Sequence, residues 1–273
     1  MMQRIAGPLL LAGGGKMGSA LMTGWLRGGL AGGDAFVIEP NDAARDAIAA
    51  LGVETVAASA DTLPAMTART IVVAVKPQVM GDVLPALTAF AGPGTQVVSI
   101  AAGKPISSFE AIFGSDTAIV RVMPNTPAAI GRGMSVLCAN RMASDRQRRE
   151  AEALMRAVGE TAWVEDEEQM HAVTALSGSG PAYVFHLVEA MAQAGEKAGL
   201  PVELARLLAL RTVEGAGALA GSSSDSPSAL RVNVTSPGGT TQAALEVLMA
   251  EDGLAPLMER TVAAAAARSR ELA

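Results

Sequence analysis

Residues 9–18 read Leu9-Leu10-Leu11-Ala12-Gly13-Gly14-Gly15-Lys16-Met17-Gly18, and their reading decides the fold. Four apolar residues suit a buried strand, and Met17–Arg27 carries helical spacing, with Leu21, Met22, Trp25 and Leu26 on one side. The turn between them fits G-x-G-x-x-G, placed after a strand and opening a helix. In that setting Gly13 permits the tight turn, Gly15 lets the backbone approach a pyrophosphate, and Gly18 lets helix pack on strand. The helix start at Lys16 and Met17 supplies free N–H groups for phosphates. A glycine-rich turn without a ligand is the plainer alternative, and the flanking strand and helix argue against it.

Outward from this turn the same rhythm repeats. Phe36–Glu39, Ile71–Val75, Gln96–Ile100 and Ala118–Val122 read as buried strands, with Val53–Val56 a weaker one. Ala43–Leu51 and Met80–Phe90 read as helices between them. Ser135–Ala139 and Ala162–Val164 extend the sheet at an edge, with a helix over Arg146–Val158 before the last strand. Strands alternating with helices predict an α/β fold: a Rossmann-like, mostly parallel sheet with helices on both faces. Arg4 followed by Pro8-Leu9-Leu10-Leu11-Ala12 imitates an export leader, but the apolar stretch runs straight into the glycines.

Beyond Glu165 no strand is convincing, and the acidic cluster Glu165–Glu168 marks a boundary. Residues 1–165 read as the dinucleotide-binding domain and 166–273 as an all-helical domain. Pro181 suits the start of a helix whose Tyr183, Val184, Leu187, Val188 and Met191 form an apolar stripe. Gly199-Leu200-Pro201 stops it and starts a second, running to about Gly221. Ser222–Ser226 is a loop, and further helices start at Thr241 and Leu254. Pro181–Ala198 and Val202–Ala220 are apolar on more than one face, so they need cover from several sides, which predicts a second protomer.

Composition narrows the function. Half of the 273 residues are hydrophobic, yet no run nears the ~20 apolar residues of a membrane span. A net charge of -6 opposes nucleic-acid binding, which needs a basic surface. One cysteine, Cys138, and two histidines make neither an intrachain disulfide nor a zinc site of familiar type, so no metal is expected. The chain reads as cytoplasmic.

Glu39 lies 21 residues beyond Gly18, where an acid accepts hydrogen bonds from the adenosine ribose and repels a 2′-phosphate. Asn41 and Arg45 can reach the same place, so both NADH and NADPH stay open. Ala74-Val75-Lys76-Pro77, Ala101-Ala102-Gly103 and Met123-Pro124-Asn125-Thr126-Pro127 stand at strand ends, where open α/β sheets bind ligands. Lys76 meets a phosphate, ribose or carboxylate there, or is a solvated loop lysine. Ser177-Gly178-Ser179-Gly180-Pro181 and Thr235–Thr241 each read as a helix start rich in hydroxyls and uncrowded N–H groups, suited to a small anion. His171 and His186 read as structural.

These segments together resemble the pyrroline-5-carboxylate reductase family over nearly the whole chain. Val75-Lys76-Pro77, Ser99–Gly103, Arg121–Ala128, Ser177–Tyr183 and above all Val234–Thr241 carry the resemblance. It implies reduction of 1-pyrroline-5-carboxylate to L-proline by NADPH or NADH, the last step of proline synthesis. It also implies a homodimer with interwoven helical domains, and a ring of dimers such as a decamer. The cofactor residues are then Gly13, Gly15, Lys16, Met17, Gly18, Glu39, Ala74, Val75, Lys76, Pro77, Ala101, Ala102 and Asn125. The substrate residues are Ser236, Gly238, Gly239, Thr240 and Thr241, with Thr241 bonded to the ring nitrogen. Two departures stand out: Glu39 replaces small polar residues, and Ser59-Ala60-Asp61 stands where an asparagine is common.

The residues suit the reaction without borrowing. A protonated cyclic imine is already an electrophile, so hydride transfer needs orientation of a small carboxylate-bearing ring rather than a side-chain nucleophile. Two other readings compete. A β-hydroxyacid dehydrogenase wants a lysine in the helical domain, and Lys197 is the sole candidate. A non-catalytic dinucleotide sensor would keep Gly13–Gly18 without a second anion cradle.

Overall fold

The structure, a computed structural model, describes residues 5–273, so Arg4 of the leader-like stretch lies outside the described residues. The chain divides into two compact units: residues up to Gly178 together with Ala266–Ala273, and Ser179–Ala265.

The first unit is built on one eight-stranded sheet. Its strands are β1 (Leu9–Ala12), β2 (Ala35–Ile38), β3 (Thr55–Ala57), β4 (Thr70–Val73), β5 (Gln96–Ser99), β6 (Ala118–Met123), β7 (Gly133–Ala139) and β8 (Gly159–Trp163). They lie in the order β3-β2-β1-β4-β5-β6-β7-β8. Leu10 pairs with Phe36 on one side and Ile71 on the other, so the chain reverses its direction of travel across the sheet at β1/β4. That reversal opens a crevice at the carboxyl ends of the strands. Every strand pair is parallel except β6–β7.

Both sheet faces are covered, which is why β1 and β4 read as unbroken apolar runs. On one face Leu9, Leu11 and Val37 pack with α1 (Lys16–Arg27), α2 (Asp42–Ala49) and α5 (Asp145–Arg156) through Trp25, Ile48 and Leu154. The Trp25 indole N–H donates to the Leu154 carbonyl at 2.9 Å, so the buried ring leaves no polar atom unpaired. On the other face Leu10, Ile71 and Val97 pack with α3 (Met80–Leu87) and α4 (Ile106–Phe113) through Leu84, Leu87 and Phe109. Each such fully buried side chain contributes roughly 1.5–3 kcal/mol.

The longer segment of the sheet unit ends in α6 (Gln169–Val173) and one π-helical turn, Thr174–Gly178. His171 is buried there, its Nδ1 2.9 Å from the Ser269 hydroxyl.

The helical unit contains α7 (Gly180–Lys197), α8 (Val202–Ser222), α9 (Pro227–Asn233), α10 (Thr240–Leu248) and most of α11 (Leu254–Glu271). Gly199, at φ +100°, turns the chain between α7 and α8, and Leu200 N–H closes on the Gly195 carbonyl at 3.1 Å. The two helices approach through small residues; a Cβ on Gly195 would stand 3.2 Å from that of Ala205. Among residues 179–265 the buried side chains are three alanines, Ala192, Ala205 and Ala209. Phe185, Leu187, Leu207 and Leu210 lie open. His186 is exposed and pairs with Glu189 at 3.2 Å. No helix among the described residues is long and apolar enough to cross a membrane.

Three elements depart from the sequence reading. Helices α4 and α9 were not anticipated, being eight and seven residues long. For α9 the signal was present: Pro227 sits in its first turn and the Ser226 hydroxyl accepts from Ala229 N–H at 3.2 Å. Finally, Ser177–Pro181 does not open a helix from a loop. The π-helical turn Thr174–Gly178 leads up to α7, which begins at Gly180 without a side-chain cap.

Candidate active site

The glycine turn follows from local sterics. Gly13 has φ +102°, and a Cβ on it would meet the Ala74 carbonyl oxygen at 2.7 Å. A Cβ on Gly18 would stand 2.1 Å from the Gly13 carbonyl oxygen, so helix and turn touch only because Gly18 lacks a side chain. Gly15 differs: nothing lies within 4 Å of its Cβ position. Above Gly15 is open space, and α1 begins there with no side-chain cap and no acid in its first turn. The first N–H groups of α1, at Lys16 and Met17, thus meet the requirement for a phosphate cradle. Lys16 is exposed at its edge.

Glu39 follows β2 and is 8% exposed. One carboxylate oxygen accepts from Gly14 N–H at 2.7 Å, the other from Asn41 N–H at 2.9 Å. The carboxylate is therefore a tie between the glycine turn and the start of α2, with acceptor capacity left on both oxygens. The Asn41 side chain caps α2 by accepting from Ala44 N–H at 3.0 Å. Asp61 stands elsewhere, beside a separate hollow lined by Ala60, Met66 and Phe90. Its exposed carboxyl is held below the usual value by a hydrogen bond from Ser59 and by its own backbone N–H.

Beyond the turn, the ends of β4, β5 and β6 enclose a cleft of about 300 Å³. Met17, Ala74, Val75, Lys76, Pro77, Ala101, Ala102 and Asn125 all line it, so residues far apart in sequence meet in one place. Small side chains at 74, 101 and 102 leave backbone accessible to a flat ring. Asn125 is oriented from two sides: its carbonyl accepts from Met134 N–H at 2.9 Å and its amide donates to the Ser177 carbonyl at 3.2 Å.

In the helical unit, Ser236–Thr241 forms a turn into α10, with Gly238 at φ +68°. The sequence reading assigned the turn's glycine N–H groups to a ligand. Both are already engaged: Gly238 N–H donates to Gln242 Oε1 at 2.7 Å and Gly239 N–H to the Ser236 carbonyl at 3.0 Å. The donors left are the first N–H groups of α10, which lacks a side-chain cap, and the hydroxyls of Ser236, Thr240 and Thr241. Ser236 and Thr240 are exposed and Thr241 half-buried.

Comparison with known proteins now bears on this geometry. The family model described as pyrroline-5-carboxylate reductase dimerisation matches residues 167–272, and one described as NADP oxidoreductase, coenzyme F420-dependent, matches residues 9–103. The pyrroline-5-carboxylate reductase of Pseudomonas aeruginosa is 43% identical over 96% of this chain and 95% of its own. The chain belongs to the pyrroline-5-carboxylate reductase family. Solved structures agree: that of the Coxiella burnetii reductase has a TM-score of 0.91 at 35% identity, covering 98% of both chains. The Plasmodium falciparum enzyme, solved with NADP bound, has a TM-score of 0.82 at 29% identity over 99% of both chains.

Within this reductase family the bare apolar helices of residues 179–265 have a plain reason, since the matching model is a dimerisation domain. Met123, Pro124 and Thr126, read from the sequence as part of a strand-end ligand segment, line the cleft as well, while Ile100 and Gly178 were not read as cleft residues. Gly178 is explained by Met123, whose methyl would lie 2.2 Å from a Cβ there. Lys197, the lysine that a β-hydroxyacid dehydrogenase would need, is the last residue of α7.

Proposed function

We propose that the protein reduces 1-pyrroline-5-carboxylate to L-proline with hydride from NADPH or NADH, as the final step of proline biosynthesis in the cytoplasm. The observation that carries this reading is the cleft at the carboxyl ends of β4–β6, continuous in sequence logic with the uncapped start of α1. Residues 1–165 are read as the dinucleotide-binding part and 166–273 as the substrate-binding and dimerisation part. The dinucleotide, when bound, supplies the hydride.

The chain's own residues supply position. Gly13, Gly15 and Gly18 shape the turn, and Lys16 and Met17 offer N–H groups to the pyrophosphate. Ala74–Pro77, Ala101, Ala102 and Asn125 flank the flat ring. The substrate carboxylate is read as held by the Ser236 hydroxyl and the free N–H groups of Thr240 and Thr241, in the loop shaped by Gly238 and Gly239. The Thr241 hydroxyl bonds the ring nitrogen and steadies its proton as charge moves off the imine. No covalent intermediate is required. Cys138 suits none, since burial, then the nearby Glu167 charge, pushes its thiol above the usual value.

A homodimer covers the apolar helices in this reading, and a decameric ring of dimers is its larger form. The test is loss of reduced-nicotinamide absorbance when 1-pyrroline-5-carboxylate is added, with proline identified as product. Dinucleotide binding without oxidation by the imine would leave a sensor instead.

A further inference from the structure

The stretch from the end of α1 to β4 is unusually poor in cations. Residues 28–69 hold six acids, Asp34, Glu39, Asp42, Asp46, Glu54 and Asp61, against two bases, Arg45 and Arg69, and the Arg69 guanidinium is paired with Glu150. This stretch contains β2 and the start of α2, where an adenosine ribose lies in sheets of this topology. A 2′-phosphate adds a charge of roughly −1.5 to −2 at neutral pH and needs a cation or several donors to offset it.

Arg45 is not free to be that cation. Its guanidinium donates to the Glu39 carbonyl at 2.9 Å and the Pro40 carbonyl at 2.8 Å, and pairs with the Asp42 carboxylate. The Asn41 side chain is engaged as the cap of α2. The Glu39 carboxylate, in contrast, is locked in position by Gly14 and Asn41 N–H groups, with no Lys or Arg among the described residues paired to it. Its remaining lone pairs suit hydroxyl donors, which a ribose has and a phosphate monoester lacks at that position.

We propose that Glu39 is a specificity-determining residue that makes this reductase prefer the dinucleotide without a 2′-phosphate, NADH over NADPH, with Arg45 held in reserve by Asp42. This rests on the reading that the glycine turn holds a dinucleotide. Binding is measured on the full-length protein by calorimetry with NAD⁺ and NADP⁺, so that no turnover is involved. The expected result is a Kd for NADP⁺ higher than that for NAD⁺ by roughly tenfold or more. Glu39→Gln should narrow that ratio by favouring NADP⁺, and Asp42→Asn should do so more weakly, since Arg45 keeps its bonds to the Glu39 and Pro40 carbonyls.

Should Glu39→Gln fail to fold, the wild type still decides. Salt screens the repulsion, so raising ionic strength should narrow the ratio there too. Equal binding, or tighter NADP⁺ binding, in the wild type overturns the assignment while leaving the reductase reading intact. Binding of neither dinucleotide overturns both.

Discussion

The sheet unit and the helical unit solve the same problem of burial differently. In the first, Trp25, Phe109, Leu9, Leu10 and Leu11 are fully buried by side chains of the same chain. In the second, α8 alone exposes Leu204, Leu207, Leu208 and Leu210, and its buried side chains are alanines. Alanines let α7 and α8 approach closely but contribute little apolar area. The hydrophobic effect scales with area removed from water, so the helical unit leaves much of its apolar area uncovered within one chain, as its match to a dimerisation domain leads one to expect. One unit carries its core within itself; the other carries half of one.

The largest effects should separate these two kinds of burial. Phe109→Ala should lower the unfolding free energy by about 3–5 kcal/mol, by the same amount at every protein concentration. If the open face of α8 packs on a second copy, Leu207→Glu puts a carboxylate without a partner there, at a cost of roughly 3–5 kcal/mol per protomer. Light scattering should show a dimer or larger assembly for the wild type at micromolar concentration, and monomer or aggregate for Leu207→Glu. A melting temperature of the wild type that does not depend on concentration, together with a clean monomer, would break the comparison.

The next effects concern chemistry. The residues proposed to hold the dinucleotide lie in the unit with its own core, whereas Thr241 and Ser236 lie in the unit without one. Thr241→Ala should therefore lower kcat by roughly 10- to 100-fold, or 1.4–2.7 kcal/mol, and leave dinucleotide affinity unchanged. Near-normal kcat with weakened NADH binding would falsify the role given to its hydroxyl. Ser236→Ala should act on a contact made equally before and during reaction, raising KM by about 3- to 10-fold at little cost in kcat.

The two units were also unequally legible. The β1–turn–α1 unit could be read because Gly13 and Gly18 answer local steric demands between an apolar run and a helical one, and strands β1 to β6 because their apolar runs are bounded by turns. The reversed direction of β7 was not legible, since periodicity marks an element without giving its direction. At the site, strand ends pointed correctly to the cleft residues. The occupation of Gly238 N–H by Gln242 did not show, because it depends on where one flexible side chain four residues on comes to rest. The Glu39–Gly14 tie was equally hidden, joining residues 25 apart through a buried carboxylate.

The smallest effect isolates the sheet unit by pH. Glu152 lies on α5; burial by itself would raise its carboxyl, but hydrogen bonds from Arg156 at 2.9 Å and Thr161 at 3.0 Å outweigh that and hold it below the usual 4.5. A carboxyl lowered on folding stabilises the protein above its unfolded value, and that contribution disappears as pH falls through the lowered folded value. Because the carboxylate is a quarter exposed and screened by solvent, the contribution is under about 1 kcal/mol. Glu152→Gln should thus be slightly less stable than wild type at pH 7, with the two converging as pH drops below 4.5. Both its partners lie in the sheet unit, so the difference should be the same at low and high protein concentration. A difference that grows on dilution would mean that this part of the sheet unit, too, depends on a second copy.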